Sequence, residues 1–308
     1  MDIIRPKESE KERVVIYDYN EKVFLDRLLF EEDKITIDFK SYSTLSIKYK
    51  IQSRKEGKWV DSVSYKYLLN DDKYENIDYF YKRNDNSDKL VVIFPGLLPV
   101  PNYIFIEESS NINASVLYLK DSLSKDGFPH SFLAFEQQKN IQDLIFLAVE
   151  WSGSSLDKTV SCGSSFGGGP AIFYASKCAI KNILVGSPSY LFCSLRSNYQ
   201  MYDQLGSKVR NLLEGIVDEI VSNNRITGET LEFMIRDAFL ASNVEHKVIM
   251  SCGSKDWFYK NQVIHFYNDC IENGCDITFY VKNYKRHSQN SRLLKANLCN
   301  WLDDFYDN

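Results

Sequence analysis

The pentapeptide Gly163-Ser164-Ser165-Phe166-Gly167 sets a serine at the centre of a G-x-S-x-G pattern. Such a serine sits on a turn sharp enough to strain its own backbone, and the flanking glycines let a strand and a helix meet closely. Its oxygen then stands clear of the sheet at a helix N-terminus, whose partial positive charge favours a developing anion. The neighbouring residues fit. Thr159–Cys162 reads as a short buried strand, and Pro170 belongs in a first helical turn, so the helix is expected to begin near Gly167.

A serine nucleophile needs a base, an acid to orient that base, and donors for the oxyanion. The chain has 4 histidines, so the search for a base is short. His246 opens a strand at the wrong end, and His265 lies inside a predicted helix. His130 sits in a Gly-Phe-Pro-His loop before the elbow and is the reserve candidate. His287 follows the last predicted strand in a polar loop, Asn283-Tyr284-Lys285-Arg286-His287-Ser288-Gln289. The carboxyl ends of parallel strands are where open sheets hold their functional residues. Asp256 lies on another such loop, Gly253-Ser254-Lys255-Asp256-Trp257, although an aspartate there can equally cap a turn. Ser165, Asp256 and His287 thus follow one of the known triad orders, and that agreement of order with placement makes them the candidate catalytic residues. For the oxyanion, one donor is the N–H of Phe166, and the other must come from Gly96, Leu97 or Leu98, because Pro95 and Pro99 have none.

The elements that must position these residues are legible from Lys89 onward. Leu90–Phe94 is a continuous apolar run, the pattern of a strand covered on both faces. Strands over Ala114–Leu119, Thr159–Cys162, Asn182–Val185, Val248–Cys252 and Asp276–Val281 then alternate with helices over Gln137–Glu150, Gly168–Ile180, Lys260–Glu272 and Ser291–Phe305. Repeated β-then-α predicts a mostly parallel sheet flanked by helices. Between Ser189 and Ser242 there is only helical pattern, at Lys208–Ser222 and Glu229–Leu240, which reads as a helical cap insertion over the strand ends. Residues 1–86 hold antiparallel strand patterns at Val14–Tyr19, Ile35–Phe39, Leu45–Gln52 and Trp59–Tyr67, either an added β-rich region or the leading hairpin of the main sheet.

Composition narrows the function classes. With 44% apolar and 26% charged residues the chain has the balance of a soluble globular protein. Its net charge of −5, with no basic stripe, argues against nucleic acid as a partner. The 7 cysteines form no C-x-x-C pair, so neither a metal site nor a disulfide framework is expected. No run is apolar enough to span a membrane, and the polar N-terminus lacks a signal-peptide core, so a cytoplasmic location is expected. The 20 tyrosines and 19 phenylalanines suit core packing better than a sugar-facing surface. Nothing in the sequence signals an oligomeric state.

Lys89–Gly96, Gly163-x-Ser165-x-Gly167-Gly168, Gly253-x-x-Asp256 and His287 together resemble the strand, elbow, acid and base of the α/β-hydrolase superfamily, over about residues 87–308. Within it, Val116-Leu117-Tyr118-Leu119-Lys120-Asp121 and Val185-Gly186-Ser187-Pro188 are similar to bacterial proteins of capsular polysaccharide biosynthesis and accessory glycoprotein secretion. The resemblance implies serine-based acyl chemistry, of an esterase or a sugar O-acetyltransferase, on a carbohydrate or small ester; no bound cofactor is expected, and the expected cytoplasmic location makes acetyl-CoA available as acyl donor. It equally admits a non-catalytic component of glycan synthesis or export, or a peptidase or thioesterase. One departure stands out: the usual His-Gly after the oxyanion strand is here Phe94-Pro95-Gly96-Leu97.

Overall fold

The computed structural model describes residues 2–4, 11–18, 24–30, 32, 34–36, 46–69, 72–96, 103–121, 131–133, 135–191 and 228–306. Its main feature is an eight-stranded sheet. In chain order the strands are β7 (Asp72–Tyr74), β8 (Ile77–Lys82), β9 (Leu90–Phe94), β10 (Ser115–Lys120), β11 (Thr159–Ser164), β12 (Asn182–Gly186), β13 (Lys247–Gly253) and β14 (Asp276–Lys282). Across the sheet they run β7-β8-β10-β9-β11-β12-β13-β14. β9 to β14 are mutually parallel, and β8 is antiparallel to β10.

The apolar run of β9 is enclosed on both faces, with Leu90 to Phe94 at most 1% exposed. Each such side chain contributes about 1.5–3 kcal/mol by leaving water. Strand alternation sends Leu90, Val92 and Phe94 to one face, with Ile183, Val185, Val248 and Met250. That face packs against α1 (Phe135–Ser152), α2 (Gly168–Lys177), α3 (Gly228–Leu240) and α4 (Ile264–Glu272), through residues such as Ile141, Phe173, Phe239 and Phe266. The opposite face of β11, β12 and β13 receives α5 (Ser288–Tyr306), which buries Leu294, Leu298, Trp301 and Leu302. Aromatic residues fill this core. Phe94 stacks on Tyr174 at 5.5 Å, and the buried Tyr174 hydroxyl donates to the Phe132 carbonyl.

The N-terminal strands build a separate unit. β2 (Glu12–Asp18), β3 (Phe24–Leu29), β5 (Ser46–Lys55) and β6 (Lys58–Leu69) form an antiparallel sheet in the order β3-β2-β5-β6. β1 (Asp2–Ile4) pairs with β4 (Lys34–Thr36), and Ile3, Val14, Ile16, Ile35, Tyr49 and Ile51 share one small core. The chain divides into compact units at Asp72/Lys73, not near residue 86. The reason is that β8 pairs with β10 along Val116–Lys120 and therefore leads the main sheet.

The segment from Ser189 to Ser242 is described only at its ends. Its last helix, α3, lies in the core layer beside α2, with Ile235, Ala238 and Phe239 buried, and serves as the crossover between β12 and β13. Residues 192–227, with the predicted helix Lys208–Ser222, fall outside the described residues, as does His130. Among the described residues no helix is long and apolar enough to cross a membrane. None of them form a group of three or more His, Cys, Asp or Glu side chains set to hold a metal ion.

Candidate active site

β11 ends at Ser164, and the chain turns at once through a 3-10 turn, Ser165–Gly167, into α2. Ser165 has φ +57°, the left-handed region that a non-glycine residue enters only where its surroundings hold it. The glycines around it are sterically required. A Cβ on Gly163 would lie 2.2 Å from the Gly167 carbonyl oxygen, and one on Gly167 would lie 2.5 Å from the Phe94 and Pro95 oxygens. Ser161, a polar residue inside the strand, has its own reason: its hydroxyl donates to the Ala171 carbonyl of α2 at 2.8 Å, tying strand to helix beneath the elbow.

The structure brings the three sequence-predicted residues together. The Nε2 atom of His287 lies 2.7 Å from the Oγ of Ser165. Its Nδ1 lies 2.8 Å from the Oδ2 of Asp256. A buried carboxylate only accepts, so Nδ1 carries the proton, and Nε2 is left to accept from the serine hydroxyl. Asp256 is itself 3% exposed and well supplied with donors. The N–H of Phe258 donates to Oδ1 at 3.1 Å, and the hydroxyl of Ser187 donates to Oδ2 at 3.1 Å. The turn-capping role open to an aspartate here and the orienting role are thus filled by different oxygens of one side chain.

Two residues that the sequence did not mark complete the surroundings of the imidazole. Phe258 stacks on it with ring centroids 4.0 Å apart and planes inclined by 22°. Ser187 holds the carboxylate from the end of β12 in another left-handed conformation, φ +41°. Burial pushes the thiol of nearby Cys252 up to about 12. Burial likewise raises the Tyr284 phenol, helped by the adjacent Cys252 and Asp256.

Phe166, an expected oxyanion donor, follows Ser165 directly and is buried. Gly96 runs alongside, its hypothetical Cβ 3.7 Å from the Ser165 Cβ and 2.8 Å from the Ser164 oxygen. Leu97 and Leu98 lie outside the described residues. The remaining described histidines are elsewhere. His246 is buried beside the Ile180 carbonyl, its Nδ1 3.1 Å away, and His265 is exposed on α4. The segments around Asp256 and His287 also expose Lys255, Lys260, Lys282, Lys285 and Arg286. Across residues 253–263 and 282–290 the one acidic residue is Asp256.

No family model matches the sequence, and no curated protein matches it. Its fold does match solved structures. The capsule O-acetyltransferase of Neisseria meningitidis serogroup A superposes with a TM-score of 0.58 at 13% identity, covering 81% of this chain and 95% of that one. The same enzyme is known in complex with CoA, with a TM-score of 0.58. A chain of the glycosylation-associated Gap123 complex from Streptococcus agalactiae superposes with a TM-score of 0.62 at 15% identity; the match spans 99% of this chain but 61% of that one. EstE7, a hormone-sensitive-lipase homologue from a metagenome library, gives a TM-score of 0.55 at 11% identity over 77% of this chain and 86% of its own. What these likenesses share with the present chain is the α/β-hydrolase fold.

Proposed function

We propose that the protein is a serine-dependent acyltransferase that moves an acetyl group from acetyl-CoA to a hydroxyl of a bacterial surface or capsular carbohydrate, working in the cytoplasm. The observation that carries this reading is the unbroken chain Ser165–His287–Asp256, with contacts of 2.7 and 2.8 Å. In the first half-reaction His287 Nε2 takes the Ser165 proton as Oγ attacks the acyl carbonyl. Asp256 stabilises the resulting imidazolium, and the N–H groups of Phe166 and Gly96 serve the oxyanion. His287 then returns the proton to the departing thiolate, leaving acyl-Ser165. In the second half-reaction His287 deprotonates the acceptor hydroxyl, which attacks the acyl carbonyl and restores the serine.

Two things support the transfer reading. The loops bearing acid and base are rimmed by Lys255, Lys260, Lys282, Lys285 and Arg286, which suits a phosphate-bearing donor. A neighbour in fold is a capsule O-acetyltransferase, and that enzyme binds CoA. Water is the competing acceptor for an acyl-serine intermediate. The test is incubation with acetyl-CoA and a panel of capsule-type glycans, following acetyl incorporation. Hydrolysis of small acetyl esters without acceptor-dependent transfer leaves an esterase, or with larger acyl donors a thioesterase or peptidase.

A second reading is a non-catalytic component of a glycan synthesis or export assembly. It is favoured by the Gap123 match, which alone among the likenesses described extends over 99% of this chain, N-terminal unit included. A fluorophosphonate probe separates the two: labelling of wild type at Ser165 supports the enzyme, and a folded protein that stays unlabelled supports the assembly role.

A further inference from the structure

Asn290 is 1% exposed, three residues past His287, in the first turn of α5. Its side-chain amide makes three hydrogen bonds. Nδ2 donates to the Ser164 hydroxyl at 3.1 Å, and Oδ1 accepts from the Ser251 hydroxyl at 3.2 Å and the Tyr284 hydroxyl at 3.0 Å. The register of the sheet explains the first two. Ser164, Gly186 and Ser251 are direct partners across β11, β12 and β13, forming one lateral row. The amide sits over the middle of that row, where Gly186 leaves room; a Cβ there would lie 2.5 Å from Nδ2. Asn290 therefore bridges the outer two strands of the row through their hydroxyls.

The third bond closes a loop around the base. Tyr284 lies three residues before His287 and Asn290 three after, and their side chains meet. The Asn290 N–H also donates to the His287 carbonyl at 3.0 Å. The base is thus bracketed by a hydrogen-bonded clasp, and that clasp is fastened to Ser164, the residue covalently preceding the nucleophile. An amide suits the task because it supplies a donor to one side and an acceptor to the other. A purely apolar helix face would pack equally well but would leave α5 free to shift along the sheet.

We infer that Asn290 is a positioning residue: with Tyr284, Ser164 and Ser251 it fixes the height of His287 above Ser165, and the bare surface of Gly186 is its seat. The inference rests on the acyl-transfer reading of Ser165 for its kinetic consequence, though not for its spectroscopic one. A misplacement of about 1 Å at a catalytic group costs roughly 100-fold in rate, so Asn290→Ala is expected to slow fluorophosphonate labelling of Ser165 by about 10- to 100-fold. Tyr284→Phe is expected to slow it less, because Asn290 keeps its bonds to Ser164 and Ser251.

The deciding measurement is made on each folded variant by proton NMR of the His287 Nδ1–H, which is hydrogen-bonded to Asp256 and is expected far downfield. Loss or broadening of that resonance in Asn290→Ala, recorded well below the variant's own melting temperature and with partial recovery in Asn290→Ser, supports positioning. A resonance and a labelling rate both equal to wild type overturn it. Should Asn290→Ala not fold, Ser164→Ala and Tyr284→Phe carry the same two readouts, with the same outcomes. Wild type that shows the resonance but never labels sinks the acyl-transfer reading, while the resonance comparison still decides the role of Asn290.

Discussion

Phe258 lies flat against His287, with ring centroids 4.0 Å apart, while its own backbone N–H holds the far oxygen of Asp256 at 3.1 Å. One residue thus governs both the plane of the base and the pose of the acid. Phe258→Leu keeps the N–H and removes the ring. The expected result is a fall in kcat of about 10-fold with KM little changed, since an aromatic contact is worth about 0.5–1.5 kcal/mol. Single-turnover acetylation checks it; an unchanged kcat means that Asp256 alone orients the imidazole.

Ser165→Ala and His287→Ala are each expected to remove turnover by about a thousandfold or more, with little change in melting temperature, because the members of a triad act as a unit. Asp256→Asn can donate to Nδ1 and so turn the imidazole to the wrong tautomer; a loss of about 1,000- to 10,000-fold is expected. Ser187→Ala removes a hydroxyl from a buried carboxylate that keeps its other two donors, and about a tenfold loss is expected from a charge-assisted bond of about 1.5–3 kcal/mol. Ester hydrolysis by purified variants ranks them. A Ser187→Ala enzyme slower than Asp256→Asn contradicts this ordering.

Gly163→Ala tests the elbow as a piece of packing. The added methyl would meet backbone, the Gly167 carbonyl at 2.2 Å, so no rotamer change relieves it. A destabilisation of about 3 kcal/mol, and a fall in melting temperature of roughly 6–12 °C, are expected. A melting curve superimposable on wild type would show that the strand and helix can part without cost.

His246 supplies a pH dependence. It is 2% exposed and stacks on Phe239; Nδ1 faces the Ile180 carbonyl, while Nε2 is buried without a hydrogen-bond partner among the described residues. Burial lowers its pKa from the ordinary 6.5, against the carbonyl contacts that raise it. The unfolded chain therefore binds the proton more readily than the folded one. The stability is fully present above about pH 6.5 and falls as the pH drops from there toward the lowered folded value, by at most about 1.4 kcal/mol per pH unit. Urea unfolding at about pH 7.5 and about pH 5.5 should show a larger acid loss in wild type than in His246→Gln. Equal losses would place the acid sensitivity elsewhere.

The parts of the site that depend on local chemistry could be read from the chain. Gly163-Ser164-Ser165-Phe166-Gly167 marks a turn whose sterics are local, and Asp256 and His287 follow strands whose apolar runs are unmistakable. β3 was not legible: Phe24-Leu25-Asp26-Arg27-Leu28-Leu29 lacks the alternation of a strand and is held by its ladder to β2. Nor was the boundary at Asp72/Lys73, which is set by pairing between β8 and a strand more than thirty residues later. Asn290 and Ser187 were invisible for the same reason. Their meaning comes from the lateral register of β11, β12 and β13 and the packing of α5, and no spacing along the sequence records that.

Ser165 and His287 stand 122 residues apart along the chain, with Asp256 31 residues before His287. Domains assemble largely from the N-terminus during synthesis, so the elbow can form while α5 is still untranslated. Until that helix docks, the loop bearing His287 lacks its anchor and Ser165 has no imidazole held within hydrogen-bond reach.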